Sequence, residues 1–187
     1  MSGVQDPRAA RTRSRLRTAL LEACAEQPLS EVSVAEVAQR AGVGRATFYL
    51  HYPGLEDLAV DACADVVREA VEALHAWRGV PDPAVPPAPL ETFFAGLEQH
   101  RAVYTALLTP GGGGPLGLVL HRDLRERSRK ERELAGAPDA ELVAAAVAGT
   151  FTGVLADWLH GLVPGTATEV AGQVWRLLIA LHSVRLH

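Results

Sequence analysis

Strand signals are nearly missing from this sequence. Nowhere does polar/apolar alternation persist between turn residues, which excludes a sheet-based fold and points to an all-helical chain. Cysteine is scarce too. The two present, Cys24 and Cys63, lack the partner spacing of zinc or redox sites and read as small buried hydrophobes. The seven histidines are scattered, without the i, i+4 spacing of a helical metal site, so no metal or cofactor is expected. No Ser/His/Asp or Cys/His constellation offers a nucleophile with its base. The run Gly111–Gly114 follows no strand and lacks a Lys-Ser/Thr end, so it is not a phosphate loop. These absences argue against an enzyme. Long apolar runs are also missing. The longest uncharged stretch, Ala102 to His121, is broken by Pro110, Gly111–Gly114 and Pro115, whereas a spanning helix needs about 20 continuous apolar residues. The amino terminus is polar and Arg-rich, without a signal-peptide pattern. A soluble, cytoplasmic protein without a membrane partner is expected.

What is present is a chain of 187 residues, 48% hydrophobic, enough for one ordinary domain or two small ones and too apolar for wholesale disorder. Its net charge of -4 is uneven. Residues 1–52 carry seven Arg against five acids, and residues 53–187 carry eleven basic residues against seventeen acids. Before Thr18 there are five Arg and one Asp. A basic end on an acidic protein suggests that this end alone meets a polyanion.

Helical spacing runs throughout. Leu16, Leu20, Ala23 and Cys24 line one face of a first helix over Pro7–Glu26, which Pro28 ends. Ser33-Val34-Ala35-Glu36 is a capping box opening a second helix, with Val34, Val37, Ala38 and Ala41 inward. Gly42 allows a tight turn. A long helix over Leu55–Trp77 precedes a Pro-rich linker, Gly79–Pro89. Two shorter helices, Leu90–His100 and Ala102–Leu108, lead to Gly111–Pro115, expected to be a flexible break. The next helix, Leu116–Leu134, contains RDLRERSRKERE, which reads as a solvated face laced with i, i+4 pairs.

Two final helices, Asp139–Leu162 and Thr166–Leu186, are apolar on more than one side. Val143, Val147, Phe151, Val154 and Trp158 form one stripe; Ala144, Ala148, Leu155 and Leu159 form another. Val170, Val174, Leu177, Leu178 and Leu181 repeat the pattern. Both sides must be buried, either within the chain or with one side against a second subunit. The residue pattern leaves these alternatives open.

The stretch VAEVAQRAGVGRATFYLHY (Val34–Tyr52) holds two short helices joined by a Gly-containing turn, the spacing of a helix-turn-helix. Such a unit lays its second helix in the DNA major groove. Arg45, Ala46, Tyr49 and Leu50 fall on one arc of that helix, with Phe48 turned inward beside Val43. Arg45 can fork onto a guanine edge. Thr47, Tyr49 and the free N–H groups of the helix start suit phosphate oxygens, and Ser33 sits where a phosphate could share its amide donors. A helical hairpin with a merely polar surface is the alternative on spacing alone.

From Leu29 to Leu58 the sequence resembles the amino-terminal domain of TetR-type transcriptional regulators. The likeness rests on the Ser-Val start, Val37-Ala38, Ala41-Gly42-Val43, Thr47-Phe48-Tyr49, His51 and Glu56-Asp57-Leu58. The resemblance implies an all-helical chain of about nine helices, with the first three as a helix-turn-helix DNA-binding domain, here residues 1–53. Residues 54–187 would then form a ligand-binding and dimerisation domain. By position it makes Arg45 and Ala46 base-edge candidates, Thr47, Tyr49 and His51 phosphate or base contacts, and Ser33 a phosphate contact. It also implies a homodimer through the last two helices, using Val147, Phe151, Val154, Trp158, Val174, Leu177, Leu178 and Leu181. The sequence departs from the pattern at Tyr52, Gly54 and Leu55, the last standing where a phosphate-reaching lysine is common.

The function implied is a ligand-responsive, sequence-specific regulator, in the first instance a repressor released from a palindromic operator by a small molecule. Phe93, Phe94, Tyr104, His121 and Trp158 are candidate pocket residues. Its place would be the cytoplasm, at the nucleoid. An inducer-free chromosome-organising DNA binder and an activator of the same fold are alternatives. A helical protein that no longer reads DNA fits poorly with the polar set Arg45, Thr47 and Tyr49.

Overall fold

The computed structural model describes residues 7–76 and 81–183. Among these the chain forms nine α-helices and a single 3-10 turn (Leu29–Glu31), with no strand. The helices are α1 (Pro7–Glu26), α2 (Val34–Arg40), α3 (Arg45–His51), α4 (Leu55–Ala76), α5 (Ala88–Gln99), α6 (Arg101–Leu107), α7 (Gly114–Leu134), α8 (Ala140–Leu159) and α9 (Ala167–Ser183). The expected helix ends at Trp77 and Leu186, and the start of the expected linker at Gly79, lie outside the described residues.

α1 organises the amino-terminal half. Its stripe of Leu16, Ala19, Leu20, Ala23 and Cys24 is fully buried, because this face meets α2 and α3 on one side and α4 and α6 on the other. α4 then carries the chain from the small helices into the larger body, packing on α1, α5 and α7. α7 lies along α8, and α9 covers both α5 and α8. Most of the buried apolar residues, from Leu16 to Leu178, form one continuous cluster.

The glycine run between α6 and α7 is a close-packed turn rather than a loose break. Gly111, Gly112 and Gly114 all have positive φ. Thr109 and Gly113 pair as an isolated bridge. A Cβ at Gly112 would stand 3.1 Å from the Thr152 backbone in α8, and one at Gly117 would stand 2.0 Å from the Gly112 carbonyl oxygen. Glycine is required here both for the left-handed backbone and for the approach of the turn to α8.

α8 is long and apolar enough, by length and composition, to cross a membrane, and 56% of that stretch is buried inside the protein. Eleven of its residues are buried, including Val143, Val147, Phe151, Leu155, Trp158 and Leu159. Its apolarity is that of a core helix wrapped by α7 and α9.

The charge run of α7 forms the expected i, i+4 pairs, Lys130 with Glu126 and Arg129 with Glu133, each at 2.7 Å. Arg125 reaches across to Glu141 of α8 at 3.1 Å. Arg132 behaves differently. It is buried, pairs closely with Asp139, whose side chain is 8% exposed, and donates to the His182 carbonyl at 3.0 Å, fastening the end of α9 to the α7–α8 corner.

Candidate nucleic-acid interface

Ser33 caps α2. Its Oγ accepts the Glu36 N–H at 3.2 Å, satisfying one of the helix's orphan donors. In a full capping box Glu36 would turn back towards Ser33. Here its carboxylate instead accepts from Gln27 Nε2 and from Arg40, both at 3.0 Å. Arg40 also grips Glu26 of α1 through two contacts, 2.7 and 2.5 Å, and that hydrogen bond holds the Glu26 carboxyl below its usual range. These bonds anchor α2 on the end of α1.

The turn after α2 needs Gly42, whose φ is 62°. The Gly42 N–H bonds to the Gln39 carbonyl at 3.0 Å and the Val43 N–H to the Ala38 carbonyl at 2.9 Å, which closes the helix end and aims α3. Arg15 of α1 donates to the Gly42 carbonyl at 3.3 Å, and a Cβ on Gly42 would collide with that guanidinium.

α3 is held from beneath by Phe48, which has no exposed surface and meets Tyr49 edge-on with ring centroids 5.4 Å apart. Tyr52, just past the helix, is also buried. Its hydroxyl donates to Asp61 of α4 at 2.5 Å, and Asp61 lies 3.7 Å from Arg17 of α1. Burial, and then the Asp61 carboxylate, push the Tyr52 hydroxyl far above its ordinary value. A residue that looked like a mere departure from pattern is thus a peg fixing α3 to α1 and α4. Sequence reasoning missed this role, because the signal is a pairing across helices distant in the chain.

With Phe48 and Tyr52 inward, about 100° per residue puts Ala46 and Leu50 at the centre of the outward face. Arg45 and Tyr49 flank them on one side, Thr47 and His51 on the other. Arg45 and Ala46 are exposed, Tyr49 is 52% and Leu50 82% exposed, and Thr47 and His51 are half-buried. Ala46, Tyr49 and Leu50 thus share the outward face, Arg45 is exposed at its edge, Thr47 and His51 turn away along the opposite edge, and Ser33 is exposed at the start of α2. Of the five amino-terminal arginines, Arg8, Arg11, Arg13 and Arg15 are exposed and Arg17 is half-buried; Arg15 reaches the Gly42 carbonyl and Arg17 lies near Asp61.

The candidate pocket residues do not converge. Phe93, Phe94 and Trp158 gather with Phe151, with Phe94 centroids 5.4 Å from Trp158 and 6.0 Å from Phe151. Phe94 and Trp158 are fully buried, and the Trp158 indole N–H already donates to the Gly165 carbonyl at 2.9 Å. Tyr104 is half-buried, its hydroxyl pushed up by burial and then by Cys63. His121 lies elsewhere, on an open groove of about 420 Å³ shared with Arg122, Arg125, Glu126, Arg129 and Glu141. Cys24 and Cys63 are buried thiols whose pKa values are pushed up to about 11 and about 12, chiefly by desolvation.

The stripe assigned to a subunit interface needs correction. Val147, Phe151, Trp158, Val174 and Leu178 are buried within the single chain. A side chain already out of water gains no further hydrophobic stabilisation from a partner. Val154, Leu177 and Leu181 keep accessible surface. The outward side of α8 instead carries Leu142, Ala146, Gly149 and Gly153, and a Cβ added to either glycine would meet nothing within 4 Å.

Comparison with known proteins gives a consistent picture. Residues 16–62 match the family described as bacterial regulatory proteins, tetR family. Over the whole chain the fold is similar to that of a TetR transcriptional regulator from Rhodococcus sp. RHA1, with TM-score 0.64 and 22% identity, covering 97% of this chain and 100% of that one. A tetR-family transcriptional regulator from Streptomyces coelicolor gives 0.64 at 22% identity, over 91% of this chain and 79% of that one. RolR in complex with resorcinol gives 0.63 at 21% identity, over 94% and 93%. At these identities the likeness to solved structures is one of fold: a TetR-type arrangement, with an amino-terminal helix-turn-helix and a carboxyl-terminal helical domain. None of the curated proteins matches the chain.

Proposed function

From an amino-terminal segment that matches, over residues 16–62, the family of bacterial regulatory proteins, tetR family, we infer that this chain is a sequence-specific DNA-binding transcriptional regulator, a repressor released by a small molecule. The observation that carries the reading is the outward face of α3. Phe48 and Tyr52 anchor the helix so firmly that Arg45, Ala46, Tyr49 and Leu50 are left facing solvent together. A helix so mounted fits the major groove, with Arg45 and Ala46 at base edges. Thr47, Tyr49 and His51 contact phosphate or bases, and Ser33 contacts phosphate. Residues 1–53 act as the reading head, and residues 54–187 as the ligand-binding and dimerising body. The protein works as a binder in the cytoplasm, not as a catalyst.

One head offers too little surface to select an operator, so the working form is a homodimer on a palindrome with half-sites about 34 Å apart. The residual face of α8 and α9 suits this interface. Small residues at Ala146, Gly149 and Gly153 let a second backbone come close, with Leu142, Val154, Leu177 and Leu181 around them. For the effector, RolR of the same fold holds resorcinol, which supports a small-molecule ligand here. Phe93, half-buried at the edge of the aromatic cluster, is the cluster member able to meet one.

The route from body to head runs through α6. Arg101 stacks 4.7 Å over Trp158 and donates to the Trp158 and Leu159 carbonyls at 2.9 and 2.8 Å. At the other end of α6 His160 meets the Leu108 carbonyl at 2.8 Å. α6 in turn packs on α1. A ligand that favours one position of Trp158 over another thereby biases the spacing of the heads. Selection of bound duplexes from a random pool by the full-length protein tests the reading. The expected result is a palindromic consensus, and recovery of no consensus overturns it.

A further inference from the structure

We propose that Leu50 reads the 5-methyl group of a thymine, so that each half-site of the operator carries a thymine opposite the last turn of α3. The proposal rests on α3 being the helix that enters the major groove, and it specifies what that helix recognises.

Leu50 is 82% exposed on a helix whose other large apolar side chain, Phe48, has no exposed surface. With Phe48 and Tyr52 defining the inward side, Leu50 and Ala46, one turn apart, form an apolar strip down the centre of the outward face. The polar side chains stand to either side of it: Arg45 and Tyr49 on one flank, Thr47 and His51 on the other. The large side chain at the centre of the outward face is therefore a leucine, not an arginine.

The major groove presents hydrogen-bond donors and acceptors at every base pair and only one apolar group, the thymine methyl. An isobutyl group pressed on a guanine, cytosine or adenine edge would desolvate polar atoms without satisfying them, which is unfavourable. Against a thymine methyl it removes two apolar surfaces from water together. Ala46 has a side chain small enough to let the helix sit deep, which brings Leu50 within reach of a methyl group.

The test uses the full-length protein and the duplex it selects from a random pool. Each thymine of the selected site is replaced in turn, symmetrically in both half-sites, by deoxyuridine, which removes the methyl and keeps the base pair. One symmetric pair of thymines is expected to respond, with wild-type affinity falling about fourfold for each methyl lost. Leu50→Ala, whose thermal midpoint should match that of wild type, is expected to bind the unmodified duplex more weakly and to be indifferent to deoxyuridine at that pair. Its own selected consensus should lose the thymine. Equal deoxyuridine effects on both proteins, or an unchanged consensus for Leu50→Ala, would overturn the proposal and point to leucine contact with the sugar–phosphate backbone, leaving DNA reading by α3 intact. A wild-type protein that selects no consensus would overturn the reading head and this proposal with it.

Discussion

α3 and α8 dispose of their large side chains in opposite ways. α3 spans seven residues and buries one of them, Phe48, leaving a convex surface of mixed chemistry turned outward. α8 spans twenty residues and buries eleven, on both flanks, so that the outward strip carries alanine, glycine and a single exposed leucine near its start. The short helix is a display element whose mounting comes from neighbours: Tyr52 on Asp61, Arg15 on the Gly42 carbonyl, Arg40 on Glu26. The long helix is the scaffold itself. What an element can offer a partner is what the core has not already taken. For α3 that is side-chain chemistry, and for α8 it is close access to backbone.

The largest effects should come from the anchors of the two regions. Phe48→Ala and Trp158→Ala are each expected to lose about 3–5 kcal/mol of stability in chemical denaturation. A single shared transition in both variants would show head and body to be one cooperative unit, as their continuous core implies. A Phe48→Ala protein that keeps the body's transition while losing DNA binding would divide them.

Adjacent leucines on α9 sharpen the contrast next. Leu178 is 9% exposed and Leu177 44%. Leu178→Glu strands a carboxylate in the core and should cost about 3 kcal/mol or more. Leu177→Glu should leave the chain's own stability within about 0.5 kcal/mol and yet convert dimer to monomer in sedimentation. Dimers that persist in Leu177→Glu would move the interface off this face.

On the display side, Arg45→Ala should weaken binding to the selected duplex by about 1–3 kcal/mol and relax preference at one base pair per half-site, with folding unchanged. Unchanged affinity and preference would remove Arg45 from the reading surface.

The smallest effect is the most discriminating for α8. Gly149→Ala relieves a helix-interior glycine and should add up to about 1 kcal/mol to the stability of a lone chain. If a second α8 approaches there, the same change should weaken the dimer, read as a higher dissociation constant by sedimentation. A variant that is both more stable and equally dimeric would leave the glycine face to solvent.

The helix-turn-helix was legible because its signals are local. The cap at Ser33, the turn at Gly42 and the inward Phe48 are each set within a few residues, and on a two-turn helix one buried position fixes where the others point. The contacts that brace it were not legible. Tyr52–Asp61 joins the end of α3 to α4, and nothing in the spacing of either residue announces the other. The last helices failed for a different reason. A helix apolar all round offers no polar face to orient it, so the stripe of Val147, Phe151 and Trp158 could be read as interface when it is core.

The sequence by itself therefore determined the helical class, the order of the helices and the outward chemistry of α3, since these depend on propensity, caps and periodicity over short stretches. Tertiary structure alone decided which side of α8 is left exposed, that Arg132 is a buried fastening rather than one more surface charge, and that the glycine run is a packed turn against α8. Each of those depends on which surfaces distant segments cover, and burial is a property of the assembled chain rather than of any window of it.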